Sequence, residues 1–289
     1  MAVFGNSGSK KPAPSGVLGD TSARDYAAKL RLFNLFAEPE LRQAIAGLQP
    51  SSESRVLDVG CGTGEVLEWF SNFVNPGGIV AGIDLAAAHA LAARRRTAPE
   101  VLVLQADLEH APFANEQFDL IWCVNTIHHM RNPLAGIKAL ARLLRRDGRI
   151  AIGQSGFIPE MFFAWDSRLE RLVHDAVRAY YRDRYGLEEH HLADIRAVLG
   201  LLRRAGLTRI TVNTVLIERC SPLQAADERY LVDAIFRGTW GERLRPYLPP
   251  DDFIKLARLC DPNHSDFALA RPDFHFIQSF TLAVGHIAK

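Results

Sequence analysis

The sequence has few cysteines, almost no net charge and no long apolar run. Its four cysteines are widely scattered and form no Cys-x-x-Cys pair, so the sequence indicates neither a zinc site nor a disulfide framework and predicts no metal. A formal net charge of only +1 argues against a dedicated nucleic-acid partner. No apolar run approaches the roughly 20 residues that span a bilayer. With a hydrophobic content of 48%, these absences predict a globular, cytoplasmic protein without a membrane span.

A glycine-rich turn directly follows a segment with the pattern of a buried strand. Residues 56–59 are mostly apolar, and Gly60, Gly62 and Gly64 then alternate with other residues. Glycine lets the backbone take positive φ and approach a ligand closely. A dinucleotide-binding GxGxxG loop would have its third glycine at Glu65, where a carboxylate would face the pyrophosphate. The turn therefore favours a different nucleoside-bearing cofactor.

Acidic residues accompany the turn and the two strand-like segments after it. Asp58 stands two residues before the first glycine, Asp84 and Leu85 close a second apolar run, and Asp107 and Leu108 close a third. An acid roughly 20 residues after a glycine turn can accept the hydroxyls of a ribose. Asp84 and Asp107 could also be simple N-caps of the helices that follow.

The glycine turn begins an ordered series of motifs. It is followed by a Pro-Phe and a Phe-Asp pair that lead into a fourth strand, then by two histidines, and then by a turn in which Arg146-Asp147 replaces the usual Pro-Gly. The series resembles the class I S-adenosylmethionine (SAM) dependent methyltransferases, and within them the quinone, sterol and natural-product branch. The stretches that carry the resemblance are Asp58 to Gly64, Gly82 to Leu85, Val101 to Leu108, Ala111 to Phe113, Gln117 to Asn125, Ile127 to Met130 and Leu143 to Ile150.

The resemblance implies SAM as the cofactor and S-adenosylhomocysteine as its product. It implies that Asp84 accepts the ribose hydroxyls, that Asp107 lies beside the adenine amino group and that Asn125 follows the strand end beside the sulfonium. The complete set of cofactor residues predicted in this way is Tyr26, Asp58, Gly60, Gly62, Gly64, Asp84, Leu85, Asp107, Leu108 and Asn125.

Two adjacent histidines are the candidates for catalysis. The methyl group of SAM is already activated, so the main task of the protein is to hold a nucleophile in line with it and to exclude water. A base is needed only where the nucleophile must lose a proton, and His128 or His129 could serve an oxygen or nitrogen nucleophile. In the resembled pattern the second histidine is often a packing residue, which favours His128. Nothing in the sequence ranks the further histidines at 190, 191, 264 and 275.

Strand-like and helical segments alternate along the chain. This order predicts an α/β fold with a doubly wound, mostly parallel seven-stranded sheet of the Rossmann-like methyltransferase type, an antiparallel final strand and helical lid insertions. The predicted boundaries are 1–20 for a flexible leader, 21–50 for N-terminal cap helices, 51–156 for the SAM-binding core, 157–191 for a helical lid insertion, 192–221 for a core helix and strand, 222–262 for a second helical insertion and 263–289 for the C-terminal strand of the core.

Aromatic residues in the two insertions predict a small-molecule acceptor, an apolar or aromatic secondary metabolite methylated at O, N or C. Two other functions stay open. An RNA or protein methyltransferase would be supported by Asn-Pro-Pro-Tyr after the fourth strand, where this sequence has Asn125-Thr126-Ile127-His128. A methyltransferase-fold cyclase, or a SAM-binding module without methyl transfer, would have the same cofactor motif. The insertions also offer a surface on which a homodimer could form.

Overall fold

Eight strands form one sheet in the part of the chain that the computed structural model describes, which is residues 16–18, 20–74, 77–156, 161–186 and 195–287. In chain order the strands are β1 (Arg55–Val59), β2 (Ile79–Asp84), β3 (Leu102–Gln105), β4 (Phe118–Val124), β5 (Leu144–Ser155), β6 (Met161–Phe163), β7 (Leu207–Cys220) and β8 (His275–Ile287).

The strand order is that of a doubly wound sheet. The first five strands are parallel and lie in the order β3-β2-β1-β4-β5. β8 pairs antiparallel with β5 on one side and with β7 on the other. The predicted fold class and the antiparallel final strand are therefore confirmed. β6 is an eighth strand within a segment predicted to be helical, and its three residues pair with β8. The prediction missed this strand because three residues are too few for a period of two to be visible in the sequence.

Helices cover both faces of the sheet. They are α1 (Ala27–Phe36), α2 (Glu38–Gly47), α3 (Glu65–Ser71), α4 (Ala87–Arg96), α5 (Pro133–Ala141), α6 (Ser167–Tyr185), α7 (Ile195–Arg204), α8 (Ala225–Arg229) and α9 (Pro250–Cys260), with a π-helix at Tyr230–Trp240 and 3-10 helices at Leu108–His110, Ile127–His129, Gly241–Tyr247 and Ala268–Ala270. Local signals set their ends. Asn132 caps α5 by accepting the Ala135 N–H at 3.0 Å. Gly186, whose φ is 64°, directly follows the last residue of α6 and caps it. None of the described helices has the length and apolarity needed to cross a membrane.

Alternate residues of the central strands are buried on opposite faces of the sheet. Leu57 and Ile121 belong to one hydrophobic cluster, which includes residues of α5 and α7. Val56 and Trp122 belong to the other, which includes residues of α2, α3 and the insertions. Because both faces are covered, the strands are apolar along nearly their whole length, and this is why the sequence shows them as continuous apolar runs.

The two insertions pack against each other. Arg168 of α6 forms a bidentate ion pair with Asp252 of α9, with N–O distances of 2.6 and 3.0 Å. The rings of Phe163 and Trp165 stack with centroids 4.5 Å apart, and Trp240 lies 5.3 Å from Phe163. Phe163 and Trp240 are each only 1% exposed. These aromatic side chains form the shared core of the insertions.

Arg219 of β7 joins the sheet to helices from distant parts of the sequence. Its guanidinium lies 2.7 Å from Glu40 of α2 and 2.8 Å from Asp227 of α8. We predict that Arg219→Ala lowers the free energy of unfolding by about 2–4 kcal/mol, because two largely buried carboxylates lose their cation. Urea unfolding followed by circular dichroism measures this change.

The matched control is Arg237→Ala. Arg237 forms an exposed pair with Asp233 at 3.0 Å within one helix. Exposed pairs of this kind contribute roughly 0.5 kcal/mol or less. Equal losses in the two variants would contradict a structural role for Arg219.

Candidate functional site

A cavity opens at the carboxyl ends of β1, β2 and β4. Its volume is about 1260 Å³ when the open solvent at its mouth is included. β1 and β4 are neighbours at the point where the winding of the sheet reverses, which is where open α/β sheets bind ligands. The N-terminal segment and α1 supply the opposite wall. The residues predicted to bind the cofactor that line the cavity are Tyr26, Asp58, Gly60, Gly62, Asp84, Leu85, Asp107, Leu108 and Asn125.

The N–H groups of the glycine turn bond within the protein. Gly60 and Cys61 donate to a carbonyl oxygen at the end of β2, at 2.8 and 3.0 Å, and Gly62 donates to Asp84 Oδ2 at 2.9 Å. A phosphate-binding loop would keep such donors for its ligand. The φ of Gly60 is +75°, and a Cβ there would overlap Thr126. The turn therefore shapes the cavity wall and does not offer a pyrophosphate site.

Gly64 lies outside the cavity lining. Its φ is +88°, and an added Cβ would lie 2.9 Å from the Cα of Ala93 in α4. Glycine at this position allows the start of α3 to approach α4 closely. In the structure Gly64 thus contacts α4, and a contact between Gly64 and the cofactor stays a prediction.

Asp84 is held firmly at the end of β2. Its Oδ1 accepts the Ala86 N–H at 2.8 Å and lies 3.3 Å from His89 Nδ1, while Oδ2 accepts from the turn. His89 is 1% exposed, and its Nε2 accepts the Tyr26 N–H at 3.2 Å, so its proton is on Nδ1 and faces the carboxylate. A carboxylate has about four lone-pair sites, so Asp84 can still accept from a ligand hydroxyl.

Asp58 is a buried acid that has no partner among the described residues. It is 3% exposed, and the described residues supply neither a hydrogen bond nor a cation to it. Burial raises the pKa of the Asp58 carboxyl well above its usual range, and the charges of Asp84 and Glu65 raise it further. A ligand that brings positive charge to this wall would offset both effects. SAM, which has a ribose, a sulfonium and an ammonium group, fits the acids at Asp58 and Asp84.

Asp107 and Asn125 extend the same wall. Asp107 Oδ1 accepts the Glu109 N–H at 3.0 Å, so this residue caps a 3-10 helix and also borders the cavity. Asn125 follows β4 with a φ of 52°, and its Oδ1 accepts from the N–H and the hydroxyl of Ser155, both at 2.8 Å. The Asn125 amide NH₂ is left without a partner among the described residues.

The two adjacent histidines occupy different environments. His128 is 5% exposed and absent from the cavity lining, with Nδ1 3.0 Å from Gln154 Oε1. Burial lowers the pKa of His128 well below its usual range, and the charge of His129 adds to this effect. His129 lines the cavity, and its Nδ1 lies 2.9 Å from Asp20 Oδ2. The structure thus places the second histidine at the cavity, although the sequence favoured the first.

Asp20 reaches the site from the segment predicted to be a flexible leader. Residues 1–15 and Gly19 lie outside the described residues, but Gly16 pairs with Met130, and the Val17 N–H donates to the His129 carbonyl at 2.9 Å. Burial by itself would raise the pKa of Asp20, but the hydrogen bond and charge of His129, together with Arg24, lower it overall. Asp20 and His129 are 109 residues apart, so no local pattern in the sequence marks this contact.

No cavity-lining residue comes from either insertion, in so far as the structure describes them. Of the aromatic side chains predicted to enclose the acceptor, Phe163, Trp165 and Trp240 pack on one another, and Phe162 is exposed. Tyr26 of the N-terminal region does line the cavity, and its ring meets His89 edge-on with centroids 4.5 Å apart. Of the unranked histidines, 190 and 191 lie outside the described residues, and His264 and His275 are not in the lining.

Fold and site together define an α/β protein that binds a nucleoside-bearing, positively charged cofactor at the carboxyl edge of a doubly wound sheet. Comparison with known proteins narrows this class. Residues 57–152 match the family described as methyltransferase domain. The chain is 30% identical over 180 residues to malonyl-[acyl-carrier protein] O-methyltransferase of Pseudescherichia vulneris, covering 57% of this chain and 70% of that protein.

Two further comparisons agree. The chain is 31% identical over 127 residues to 27-O-demethylrifamycin SV methyltransferase of Amycolatopsis mediterranei, a match that spans 43% of this chain and only 47% of that protein. The YcgJ protein of Bacillus subtilis has the same fold, with a TM-score of 0.54 at 19% identity over 87% of this chain and 99% of that one. The chain belongs to the SAM-dependent methyltransferase family, and SAM is its cofactor.

We predict that Asp84→Asn weakens SAM binding by about 1.5–3 kcal/mol, because hydrogen bonds to a charged acceptor are lost. Isothermal titration calorimetry measures this change. The control is Asp119→Asn, at the amino end of β4, where Asp119 pairs with Arg145 at 3.2 Å far from the cavity wall. Unchanged affinity in a folded Asp84 variant would remove Asp84 from the cofactor site.

We also predict that SAM binding releases protons and that Asp58→Asn abolishes this release. Because the pKa of Asp58 is raised in the free protein, a cationic ligand lowers it and drives off the proton. The affinity for SAM should therefore fall as the pH is lowered. Calorimetry in two buffers of different ionisation enthalpy measures the number of protons released.

Thermal unfolding of the same variant provides the control. A carboxyl whose pKa is higher in the folded than in the unfolded state contributes stability at low pH, and this stability is lost as the pH rises through the folded value. Asp58→Asn should therefore raise the Tm of the ligand-free protein at neutral pH while it weakens SAM binding. A lower Tm together with unchanged proton release would contradict the assignment.

Proposed function

We propose that this methyltransferase transfers the methyl group of SAM to a hydroxyl oxygen of a small organic acceptor, with His129 as the general base. The observation that carries the proposal is the contact between His129 Nδ1 and Asp20 Oδ2, 2.9 Å apart at the wall of the cavity. A carboxylate can only accept, so Nδ1 carries a proton, and in the neutral form of the ring Nε2 keeps its lone pair. Nε2 is thereby free to accept a proton from the acceptor.

When bound, SAM supplies a methyl group on a sulfonium, which is open to direct displacement. His129 accepts the hydroxyl proton at Nε2 as the acceptor oxygen bonds to the methyl carbon, and the electron pair of the broken carbon–sulfur bond stays with sulfur. Asp20 keeps its negative charge because His129 and Arg24 lower its pKa, and this charge stabilises the protonated imidazole. The segment that carries Asp20 also shields the reacting atoms from water.

We also propose which part of SAM each residue of the cavity wall contacts. We assign the ribose to Asp84, the positively charged part of the cofactor to the neighbourhood of Asp58, and the adenine side to Asp107 and Leu108. Asn125 offers its amide NH₂ at the end of β4. Tyr26 covers this wall, and burial, followed by the charges of Asp84 and Asp20, raises its pKa, so its hydroxyl stays protonated.

Two relatives support oxygen as the methylated atom. One is named as an O-methyltransferase of a malonyl group on acyl carrier protein, and the other as a methyltransferase of a 27-O-demethyl compound. A proton-accepting pair such as His129 and Asp20 is useful for a hydroxyl, whereas a carboxylate such as that of a malonyl group is already deprotonated and does not need it. The relative named for a 27-O-demethyl compound is therefore the one that supports a hydroxyl. The size of the acceptor and a cytoplasmic location stay predictions.

The test follows the methyl group. The purified protein is incubated with methyl-labelled SAM and fractionated extract from its source, and the label is traced by mass spectrometry into small-molecule, protein and nucleic-acid pools. We expect the label on an oxygen of one small metabolite. Label in protein or RNA, or none in any pool despite SAM binding, would overturn the proposal.

With that acceptor in hand, we predict that His129→Ala lowers turnover by about 10²–10⁴-fold, because a positioned base is lost. SAM affinity should be unchanged, since the cofactor wall is intact. The matched control is His110→Ala, an exposed histidine in the 3-10 helix beside Asp107, which should keep full turnover. Equal turnover of the two variants would remove His129 from the mechanism.

A further inference from the structure

Three side chains of the types that bind metals lie together where β7 ends and β8 begins. Glu218, Cys220 and His275 each place one ligand atom, a carboxylate oxygen, the sulfur and a ring nitrogen, within 4.8 Å of one another. His275 Nε2 lies 2.7 Å from Glu218 Oε1. In the described part of the chain this is the one place where three such residues meet. The cluster is separate from the cofactor cavity, because none of the three residues lines it.

The pairing of β7 with β8 puts all three side chains on one face of the sheet. Cys220 is directly opposite His275 in the antiparallel register. Glu218 is two residues before Cys220, and residues two apart on a strand point to the same face. Arg219 and Phe276 point the other way, toward α1 and α2, where Arg219 binds Glu40 and the ring of Phe276 meets that of Phe36. The three ligands are therefore held by a hydrogen-bonded ladder, which positions side chains more precisely than a loop does.

This cluster is not visible as a pattern in the sequence. Glu218 and His275 are 57 residues apart, and the register of two strands brings them together. Sequence patterns that mark zinc sites depend on ligands a few residues apart, as in a Cys-x-x-Cys pair. The scattered cysteines predict no metal for this reason, although Cys220 is exposed.

The three ligand atoms match the preferences of zinc. Zinc binds cysteine sulfur, histidine nitrogen and carboxylate oxygen, and it takes four ligands in a tetrahedron. Sulfur argues against Mg²⁺ and Ca²⁺, which take oxygen ligands. Zinc bonds of about 2.0–2.3 Å separate the ligand atoms of a tetrahedron by roughly 3.3–3.6 Å. Because Glu218 and Cys220 are exposed, small side-chain rotations bring atoms that already lie within 4.8 Å to this separation.

An aromatic side chain from a third strand covers one side of the cluster. Phe162 of β6 is 47% exposed, and its ring meets that of His275 edge-on with centroids 5.9 Å apart. An apolar neighbour limits the access of water and so strengthens the attraction between a metal ion and its charged ligands. Phe162 thus has a place beside the cluster that its exposure alone does not explain.

We propose that Glu218, Cys220 and His275 bind one zinc ion, which joins the end of β7 to the start of β8. The second insertion leaves the sheet after Cys220 and returns to it at His275, so the ion closes the base of this insertion. Next to the site, the Ser221 N–H donates to the Phe274 carbonyl at 3.1 Å. Two bonds to zinc replace the hydrogen bond between Glu218 and His275, and the thiol proton is released to solvent. The described residues supply three ligands, and water completes the tetrahedron.

Cobalt tests the site without methyl transfer, because Co²⁺ takes the same tetrahedral ligands as zinc and absorbs visible light. The full chain is reduced, treated with a chelator and titrated with Co²⁺ alone while absorbance is recorded. We expect one Co²⁺ per chain, the intense visible bands of tetrahedral cobalt and a charge-transfer band from thiolate to metal. An equal amount of Zn²⁺ should remove these bands, whereas an excess of Mg²⁺ should not.

Cys220→Ser and His275→Gln are the decisive variants. Each should raise the dissociation constant for zinc about 100-fold or more, measured by competition with a chromophoric chelator. The reason is that residues which only orient metal ligands already contribute about 10–100-fold. Cys220→Ser should also remove the charge-transfer band. The matched controls are Cys260→Ser, at a half-buried cysteine, and His264→Gln, at a histidine 3.7 Å from Asp266, and both should bind zinc as the wild type does.

Three results would overturn the proposal. They are a wild-type chain without the charge-transfer band, a band that persists in Cys220→Ser, and equal zinc affinity in the decisive variants and the controls. Circular dichroism of each variant shows that it is folded, so a lost band reports the metal site.

Hydrogen exchange tests the place of the ion in the fold. A metal that binds only the folded strand ends stabilises them. Zinc should therefore slow amide exchange in peptides that cover residues 216–224 and 272–279, and it should leave peptides from β3 unchanged. In His275→Gln zinc should have no effect on either region. Equal exchange of the wild type with and without zinc would also overturn the proposal.

Discussion

The hydrogen bond from the Gly62 N–H to the Asp84 carboxylate is the contact on which the site depends. Together with the two bonds from the turn to the end of β2, it fixes the carboxyl ends of β1 and β2 against each other. Asp58 and Asp84 are thereby held near one another at the cavity wall. After burial, the repulsion between them is part of what raises the pKa of Asp58, so two ionised acids at this wall disfavour each other. A cationic cofactor supplies a positive charge that the described residues do not place beside Asp58.

Polar contacts attach the N-terminal region, residues 16–36, to this same edge of the sheet, and three of them involve side chains at the site. His89 accepts the Tyr26 N–H at 3.2 Å, Asn34 donates to Glu65 at 2.9 Å, and Asp20 meets His129. We call residues 16–36 the N-terminal cover. Each contact joins this cover to a residue that follows the carboxyl end of a strand within a few positions. The cover and the cofactor wall are therefore one structure, and the candidate base is positioned only when the cover is in place.

The parts of the site that the sequence predicts are those set by local pattern. The buried strands appear as apolar runs, and the turn with its acids follows from positions within a few residues of the strand ends. Asp20 and the environments of His128 and His129 are set by contacts over long sequence distances, which no local period reveals. Composition predicts an acceptor pocket from the aromatic residues of the insertions because it does not distinguish a pocket wall from a packed core. The ring contact between Phe163 and Trp240 shows that these two side chains belong to a core.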